Sequence, residues 1–595
     1  MSTGKRVAVV GAGPAGLFLA RMIGLTRSDA VVDVYERDGR DEVSGFGVSL
    51  SDRTLRGLAR HDPGTHRRMT AAGVAVSGVE MRLPAATLRY DGFDLLSVSR
   101  HELLAILREQ AEDVGARLHF RREVRVGDLD ADVVALADGA HSAHRTARRR
   151  AFGTSVRTGR ARYIWLGSTA DFGDVTAFAF VQTEFGPMAA HCYPYGAGMS
   201  TVVVELDETT WRRAGLAGPD PAAPIGEAGL DLLTGIFAGH LGGHRLVGGG
   251  SRWGRFRVVR NERWSDGDTV LLGDAAHTAH FTVGSGTKMA LEDAIALAGA
   301  LSTHDDNATA FKAYERARRG PVARTQRLAE PSMTWWESYG RRLGLPPAQF
   351  GVHFLTRTGA ISYLGLRRRC PERIDEAEAV FREEAGAAAG ARPGNAIGVP
   401  LRLGSVRLPN RLVTVPPDTP SGPVPSGLVL VRGDAGEAAG AEAAPYGVVG
   451  RLLPPDAEPA AGEPGTPCLV ELACPDGPEW TAAADALVER ARLLRRRRVD
   501  GVLLRPGRPV ELCWDEMLRH AARVRVEAGL PVAVYAPADW ALDLAREADT
   551  DPWPTRIHVG LVSGRIDLVA VAGHARPAYS KLPSPGNLLK RHRLP

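Results

Sequence analysis

An apolar run followed at once by a glycine-rich turn opens the chain. The run from Arg6 to Val10 alternates too little for a half-exposed strand, and it leads into Gly11-Ala12-Gly13-Pro14-Ala15-Gly16. Helical spacing then continues from Pro14 to about Ile23. Glycines at these positions permit a tight turn, close approach of the backbone to a pyrophosphate and close packing of helix on strand. The pattern predicts a strand, a turn and a helix whose N-terminus faces phosphate.

A second apolar run, from Val31 to Tyr35, ends in Glu36, with Arg37 next to it. The carboxylate of Glu36 comes about twenty residues after the last glycine, where such a group accepts both hydroxyls of an adenosine ribose. A glycine-rich turn that binds nothing is the alternative. The order of strand, turn, helix, strand and acid favours a dinucleotide site that uses Gly11, Gly13, Ala15, Gly16, Glu36 and Arg37.

Two later apolar strands distinguish between the possible dinucleotides. Val133 to Ala137 ends in Asp138-Gly139, and Val270 to Leu272 ends in Gly273-Asp274, whose carboxylate can bind ribityl hydroxyls. Gly284 and Gly286 then precede a predicted helix, Thr287 to Leu301, whose N-terminus can support negative charge on a reduced isoalloxazine ring. NAD does not need this feature, so the pattern predicts FAD. The alternative, that Asp274 only caps a helix, leaves the joint occurrence of these motifs unexplained.

The segment between these motifs follows another pattern. Residues 155–262 alternate between apolar and polar positions, which predicts an inserted antiparallel sheet that covers the flavin and lines the substrate pocket. His191 and Tyr193 lie on one face of one strand and are candidates to point at the substrate, although a core or inter-strand role for each stays open. A predicted helix from Thr309 to Ala329 closes the first domain. The strands in this segment are Arg162 to Leu166, Ala177 to Gln182, Met188 to Tyr193 and Ser200 to Leu206.

Beyond Glu384 the composition changes. An Ala/Gly-rich linker, Ala385 to Gly394, is followed by low-complexity loops at Gly433 to Pro445 and Pro454 to Pro467. Short apolar strands alternate with helices at Trp480 to Leu494 and Trp514 to Ala528, which predicts a β/α barrel or a fragment of one. The strands are Leu428 to Val431, Tyr446 to Leu453, Cys468 to Leu472, Val499 to Leu504, Val532 to Tyr535 and Ile566 to Val571.

Composition limits the class of protein. With 595 residues, 44% of them hydrophobic and 24% charged, the chain can bury several cores, and a small binding module is excluded. No apolar run is long enough to span a membrane and no signal-type segment opens the chain, so we expect a cytoplasmic protein. Five cysteines without a Cys-x-x-Cys pair predict neither a disulfide framework nor a metal site.

The net charge of +5 comes mostly from arginine. Seven arginines lie between Arg145 and Arg162, and four more follow Leu494. A solvated face is one explanation, and for the first cluster an anionic handle such as the phosphates of coenzyme A is the other. No basic motif interleaved with aromatic residues accompanies the charge, so nucleic acid is not an expected partner.

The order of the motifs carries a family resemblance. Gly-x-Gly-x-x-Gly, Arg100 at a helix start, Asp138-Gly139 and Gly273-Asp274-Ala275-Ala276-His277 together resemble the single-component FAD-dependent aromatic hydroxylases of the p-hydroxybenzoate hydroxylase type, over roughly residues 4–345. The resemblance implies that Asp138 and Asp274 contact the flavin and that Arg100 lies near its ring or pyrophosphate. Phe281 is a departure, because the family usually has proline there.

Other segments narrow the resemblance to the salicylyl-CoA 5-hydroxylase and 2-aminobenzoyl-CoA monooxygenase/reductase group. It implies that NAD(P)H, as a transient co-substrate, reduces FAD, and that a C4a-hydroperoxyflavin formed with dioxygen hydroxylates or epoxidises an aromatic acyl-CoA thioester. His280 and Phe281 would shape the oxygen site. The segments are His280 to Ala294, Tyr163-Ile164-Trp165-Leu166-Gly167, His191-Cys192-Tyr193-Pro194, Gln326-Arg327, Ser332 and Trp335-Trp336-Glu337.

Two alternatives stay open. One is a flavin hydroxylase of a free or carrier-bound aromatic or indole in natural-product biosynthesis. The other is a protein that binds FAD without oxygenating a substrate, as a reductase or a structural flavoprotein.

The segment from Pro400 to Val413 resembles the opening of old yellow enzyme-type FMN barrels, but the match decays. A complete barrel takes about 250 residues, more than remain. No His-x-x-His or His-x-x-Asn pair occurs among His520, His558, His574 and His592, and Pro417 replaces a flavin-contacting methionine. We therefore predict a shortened barrel without FMN that serves packing or homodimerisation.

The predicted architecture is α/β. Residues 1–154 and 263–384 form an FAD-binding Rossmann-like domain with closing helices, residues 155–262 the inserted substrate sheet, and residues 397–595 a degenerate old yellow enzyme-like β/α domain.

Overall fold

A computed structural model describes most of the N-terminal part of the chain and separate stretches of the C-terminal part. The described residues are 4–43, 45–248, 250–384, 401–403, 406–408, 412–415, 428–432, 448–454, 466–476, 482–508, 510–536, 561 and 568–572. The predicted linker, the loop from Gly433 to Pro445, most of the loop from Pro454 to Pro467, and Pro417, His558, His574 and His592 lie outside them. The chain divides into two compact units, Met1–Gly340 and Arg341–Pro595. The domain bounds drawn from the sequence stay a prediction.

The first unit holds strands that form two main sheets and one short ribbon. They are β1 Arg6–Val10, β2 Val31–Tyr35, β3 Gly47–Ser51, β4 Val74–Arg82, β5 Thr87–Ser99, β6 Arg117–His119, β7 Val133–Leu136, β8 Ser155–Thr158, β9 Arg162–Ser168, β10 Val175–Thr183, β11 Gly186–Gly196, β12 Met199–Leu206, β13 Leu246–Val247, β14 Arg257–Arg260, β15 Ser265–Asp266 and β16 Thr269–Leu271.

Helices cover the sheets and connect them. They are α1 Pro14–Thr26, α2 Asp52–His61, α3 Pro63–Ala72, α4 Arg100–Glu112, α5 Ala143–Ala147, α6 Arg149–Phe152, α7 Glu208–Arg213, α8 Gly226–Leu241, α9 Gly286–Thr303 and α10 Asn307–Trp336. Helix α10 continues past the predicted end at Ala329 and past Pro331, because Trp335 and Trp336 in its last turn are buried.

The first sheet has six strands in the order β15-β16-β7-β1-β2-β6. Strand β1 pairs in parallel with β2 on one side and with β7 on the other, and β7 pairs in parallel with β16. Helices α1 and α9 pack on this sheet and share its core. Since both faces of such a sheet are covered, its strands are continuously apolar, as β1 and β7 are. The parallel sheet confirms the predicted dinucleotide-binding architecture.

The second sheet has eight strands in the order β13-β9-β12-β11-β10-β4-β5-β3. The predicted strands of the inserted segment are present as β9 to β12, but β3, β4 and β5 come from residues 47–99, outside that segment. Strands distant in the chain thus complete one sheet. One of its faces packs against α8 through side chains such as Ile164, Val204 and Cys192. Because side chains alternate along a strand, the neighbouring positions point to the opposite face.

Helix α9 is fixed to the first sheet by the fully buried Asp293. One carboxylate oxygen accepts Arg318 Nε at 2.7 Å, and the other accepts the Gly273 backbone N–H at 3.0 Å and lies 2.8 Å from His277 Nε2. Burial opposes ionisation of Asp293, but His277 and Arg318 together hold its pKa below the ordinary value. This carboxylate therefore joins α9, α10 and the turn after β16.

The second unit contains a closed barrel of parallel strands. Strands between Leu412 and Ala572 form it in chain order. A separate antiparallel pair, Leu401–Leu403 and Val406–Leu408, precedes it. This barrel confirms the predicted β/α architecture. Its elements and the preceding helices are α11 Pro347–Leu355, α12 Tyr363–Arg369, α13 Pro371–Glu384, β17 Leu401–Leu403, β18 Val406–Leu408, β19 Leu412–Val415, β20 Leu428–Arg432, β21 Val448–Leu453, β22 Cys468–Cys474, α14 Ala482–Arg496, β23 Gly501–Pro506, α15 Val510–Arg523, β24 Val532–Ala536 and β25 Leu568–Ala572.

Leucines fill the barrel interior, among them Leu430, Leu469 and Leu503. All five cysteines of the chain are buried and none forms a disulfide. Of the helices that the structure describes, none combines the length and the apolar character needed to cross a bilayer.

We expect Asp293→Asn to lower the free energy of unfolding by roughly 3 to 5 kcal/mol, because it removes the buried charge that faces Arg318 and His277. Urea unfolding at neutral pH measures this loss. A pKa lowered in the folded state stabilises the fold only while the carboxylate is ionised, so this contribution disappears as pH falls through the lowered value. The difference between the variant and the wild type should therefore shrink in acid.

Glu292→Gln is the matched control. Glu292 also pairs with Arg318, at 2.9 Å, but its side chain is 32% exposed. Its loss should stay within about 1 kcal/mol, and equal losses for the two variants would contradict the anchoring role of Asp293.

Candidate active site

Three turns meet at one edge of the parallel sheet. They follow β1 at Gly11, β7 at Asp138 and β16 at Gly273, and these three strands are neighbours. Parallel strands end at the same edge, where ligands bind in sheets of this type. The turns that the sequence singled out are therefore brought together.

Arg145, with no exposed surface, joins two of these turns. Its Nη1 donates to the Ala275 carbonyl at 2.9 Å and its Nη2 to the Ala140 carbonyl at 2.7 Å. Burial lowers the pKa of this guanidinium, and the charge of Asp138 opposes that effect. Arg145 therefore holds the Asp138-Gly139 turn against the turn that carries Asp274.

Other arginines of the predicted basic cluster also have protein partners. Arg148 pairs with Asp266, Arg160 with Glu337, and Arg162 with Glu208. These three arginines are therefore held in three separate ion pairs.

The glycines of the motifs divide into two groups. A Cβ on Gly11 or Gly16 would collide with backbone oxygen, at 2.5 Å from Ala137 O and 2.0 Å from Gly11 O respectively, and one on Gly273 would lie 2.8 Å from the Ala15 Cβ. These positions serve packing between the turns. A Cβ on any glycine of the second group would meet no atom within 4 Å, so these glycines border open space. They are Gly13, Gly139, Gly284 and Gly286.

The first turn is preformed for a dinucleotide. Glu36 Oε2 accepts the Ala12 backbone N–H at 2.8 Å, and Oε1 accepts the Asp38 backbone N–H at 3.1 Å. Helix α1 begins after Gly13 with no side-chain cap and no acidic residue in its first turn, so its N-terminal amides face the open space. Arg37 is largely exposed and lies 3.7 Å from Asp38.

Carboxylates mark the second and third turns. Asp138 Oδ2 binds His144 Nδ1 at 2.9 Å and raises the pKa of that histidine, whereas its buried Oδ1 has no hydrogen-bond partner in the described part of the chain. Asp274 is exposed to solvent on one side. The residues packed around it still desolvate its carboxylate and raise its pKa, against the influence of His277 and Arg100. Arg100 starts α4 as predicted, and burial lowers its pKa while Asp274 opposes the shift.

Helix α9 directs its N-terminus to the same space. It begins at Gly286, with Thr287 next; its cap residue Ser285 makes no side-chain hydrogen bond to it, and no acidic residue lies in its first turn. Gly284 precedes it in the left-handed conformation, at φ 60°. A helix start without a capping carboxylate favours negative charge on a bound group.

These features fit FAD. Two uncapped helix starts, an orphaned carboxylate oxygen, a second carboxylate in a cleft and four glycines without neighbours line one space, which is what a long, anionic and hydroxylated cofactor requires. A turn that binds nothing would leave the buried Asp138 oxygen unexplained.

The second sheet presents its other face to this region. Strand register places Tyr163 of β9 directly opposite Glu205 of β12, and Val203 between Trp165 and His191. Along these strands, polar and aromatic side chains on this face thus alternate with apolar side chains that point into the core on the other face. The buried Trp165 Nε1 finds no acceptor within the described residues.

His191, His280 and Phe281 are brought together. The ring of Phe281 lies 4.5 Å from that of His280, 5.9 Å from that of His191 and 5.0 Å from that of Tyr163. Trp336, from the end of α10, lies 4.1 Å from His191. His191, predicted as a substrate-facing residue, therefore lies in one aromatic cluster with His280 and Phe281, which were predicted to shape the oxygen site.

Tyr193 has a different position. Its hydroxyl donates to the Gly47 carbonyl at 2.8 Å, and the Gly47 N–H donates to Thr201 at 2.8 Å. Burial raises the pKa of Tyr193. The residue thus connects β11 to β3, which matches the inter-strand role left open for it.

Sequence reasoning missed two buried carboxylates. Glu205, 1% exposed, lies 3.3 Å from His191 Nε2 and 3.9 Å from His280 Nε2, and Asp293 holds the third turn. Glu205 lies within an apolar strand, Val202 to Leu206, and a lone acid in such a run is the signal that could have revealed it.

The comparison with known proteins agrees with the geometry. A family model described as an FAD binding domain matches residues 5–176. Salicyloyl-CoA 5-hydroxylase of a Streptomyces species is 40% identical over 72% of this chain and 82% of that protein. The 3-hydroxy-4-methyl-anthranilyl-(aryl-carrier protein) 5-monooxygenase of Streptosporangium sibiricum is 36% identical over 61% of this chain and 96% of that protein.

A third relative, protodeoxyviolaceinate monooxygenase of Chromobacterium violaceum, is 32% identical over 59% of this chain and 94% of that protein. Identity of 32 to 40%, over 82 to 96% of the length of these three relatives, shows the family. The chain therefore belongs to the FAD-dependent aromatic monooxygenases, the family that includes salicyloyl-CoA 5-hydroxylase.

Proposed function

We propose that the protein uses NAD(P)H and dioxygen to hydroxylate or epoxidise an aromatic acyl-CoA thioester of the salicylyl or 2-aminobenzoyl type. In the hydroxylation, one oxygen atom enters the ring, the other leaves as water, and NAD(P)H is oxidised to NAD(P)⁺. The observation that carries the proposal is the aromatic pocket around Phe281, on the segment that joins Asp274 to the start of α9.

Bound FAD supplies the oxidation chemistry, since its reduced ring activates dioxygen. The protein's own residues bind and orient the reactants. Asp138 and Asp274 offer acceptors for hydroxyl groups of the cofactor, and the α9 N-terminus stabilises negative charge on the reduced ring. Gly284 and Gly286 allow close approach of that ring, because neither carries a side chain into the open space.

The substrate ring is proposed to lie against Phe281, Tyr163 and Trp336. Aromatic pairs with ring centroids about 4.5 to 7 Å apart stabilise each other, and the ring of Phe281 lies at such distances from those of Tyr163 and His191. The indole N–H of Trp165 is a donor suited to the acyl carbonyl of the substrate. Enclosure by these side chains excludes water from the reaction.

A carrier-bound aromatic is the second candidate substrate. The Streptosporangium relative acts, by its name, on an aryl group carried by a protein, and it aligns over 96% of its length. A carrier-bound acyl group would present the same ring to the same pocket. Membership of a monooxygenase family disfavours the non-oxygenating flavoprotein.

With salicylyl-CoA or 2-aminobenzoyl-CoA, we expect the protein to consume NADH or NADPH faster than it does without substrate and to yield a product heavier by one oxygen atom. Absorbance of the reduced nicotinamide and mass spectrometry of the product measure this. Salicylate and 2-aminobenzoate without CoA are the matched controls. Hydroxylation of an aryl-carrier protein but of neither CoA thioester would replace the first candidate by the second.

We expect Asp274→Ala to weaken FAD binding by about 1 to 3 kcal/mol, because a carboxylate that accepts cofactor hydroxyls is lost. Titration of the apoprotein with FAD, followed by flavin fluorescence, measures the affinity. Asp268→Ala is the control, since this exposed carboxylate binds Asn307 instead, at 2.9 Å. Wild-type FAD affinity in the Asp274→Ala protein would rule out this placement.

Flavin released by heat from the purified protein should be FAD alone, at one equivalent per chain. The sequence of the second unit departs from the FMN barrels at the proton-donor pair and at Pro417. Chromatography of the released flavin distinguishes FAD from FMN, and a second equivalent found as FMN would show that the barrel binds its own cofactor.

A further inference from the structure

We propose that Glu205 is a positioning residue that orients His191 and His280 as one buried acid–base pair for an ionisable ring hydroxyl of the substrate. The inference rests on the proposed function and deepens it, because it names the chemical group that the pocket selects. The sequence motifs assign no role to this carboxylate.

The geometry around Glu205 is that of a shared carboxylate. One oxygen lies 3.3 Å from His191 Nε2, and the other lies 3.9 Å from His280 Nε2. The first distance allows direct contact, whereas the second exceeds a hydrogen bond and leaves an electrostatic interaction. The side chains of Glu205, His191 and His280 are 1%, 7% and 3% exposed, so solvent screens neither pair.

Two neighbouring strands and Tyr339 pack against the Glu205 residue. His191 belongs to β11 and Tyr163 to β9, and the Tyr339 hydroxyl donates to the Glu205 backbone carbonyl at 3.0 Å. Burial, Glu205 and Asp274 all raise the pKa of Tyr163, and burial and Glu205 raise that of Tyr339. Both phenols therefore stay protonated near neutral pH. His191 and His280 accordingly take the role of base in this proposal.

His280 is held from its other side. Its Nδ1 lies 2.7 Å from Thr282 Oγ1, which in turn lies 2.8 Å from Ser332 Oγ on α10. The hydrogen bond at Nδ1 fixes the orientation of the ring, and the charge of Glu205 acts on Nε2 from a distance. Thr282 and Glu205 thus determine together how His280 meets a substrate ring stacked on Phe281.

The charges define the chemistry. A buried carboxylate beside two neutral imidazoles is costly unless one of them is protonated. When a substrate hydroxyl transfers its proton to an imidazole nitrogen, a phenolate and an imidazolium form, and Glu205 stabilises the imidazolium. The total charge is unchanged. A phenolate is more electron-rich than a phenol and so accepts oxygen more readily, whereas a ring amino group does not lose a proton in this way.

The test compares the ring hydroxyl of salicylyl-CoA with the ring amine of 2-aminobenzoyl-CoA in the oxidised holoenzyme. Difference spectra of bound salicylyl-CoA across pH report how its hydroxyl ionises before any turnover. We expect Glu205→Gln to raise the apparent pKa of the bound hydroxyl by about one unit or more, a tenfold change in the equilibrium. It should also lower kcat for this substrate about 100-fold, and for 2-aminobenzoyl-CoA less than about tenfold.

Glu205→Asp should restore part of both effects, because it keeps the charge. Glu208→Gln is the matched control: Glu208 follows the same strand but binds Arg162, Arg212 and Arg255, so neither quantity should change. Should Glu205→Gln not fold, Thr282→Val tests the same pair through His280, and we expect it to shift the ionisation in the same direction by a smaller amount.

An unchanged ionisation of the bound hydroxyl in these variants, with equal losses of kcat for the two thioesters, would show that Glu205 is only structural. Because ionisation is measured without turnover, wild-type protein that binds salicylyl-CoA but does not oxygenate it would contradict the proposed function alone. Failure to bind either thioester would overturn the proposed substrate and this inference together.

Discussion

One buried guanidinium determines whether a cofactor site exists. The side chain of Arg145 donates to carbonyls of two turns that are separated by 130 residues or more along the chain, and no water can compete for these bonds. A buried cation without acceptors would be costly, so Arg145 requires the carbonyls of Ala140 and Ala275. The two turns in turn require Arg145 to hold them together. The cleft that receives a flavin is a consequence of this mutual requirement.

The second sheet meets two demands with its two faces. One face is packed with aliphatic side chains against a helix and gives the sheet its stability. The other carries Glu205, His191 and the aromatic residues, which would be unstable if they lacked a rigid support. Since strand alternation assigns each residue to a face, a slip of one register position would exchange core and pocket.

The sequence predicted the parallel sheet well, because the signals there are local. Apolar strands, turn glycines and acidic strand ends follow one another within short segments, and β1 and β2 occur with the predicted bounds. His280 and Phe281 were proposed as site residues through a motif resemblance, and the structure brings them beside His191. Glu205 and Asp293 were not identified, since each acts through partners distant in sequence, such as His191 or Arg318.

Long-range pairing also explains the unforeseen strands. Nothing in the pattern of residues 47–99 shows that β3, β4 and β5 complete a sheet whose other strands begin only at Arg162, because register with distant strands leaves no local mark. Tyr193 illustrates the same point: its partner at Gly47 could be known only from the folded chain.

The bond from Asp293 to the Gly273 backbone closes the intervening residues into a ring of covalent and hydrogen bonds. Asp274 lies at one side of this ring, and His280 and Phe281 lie at another. A change in charge or shape at the flavin therefore reaches the aromatic pocket through a single short closed segment. Loss of the Asp293 bond would therefore disturb Asp274 and Phe281 together, although neither residue contributes to it.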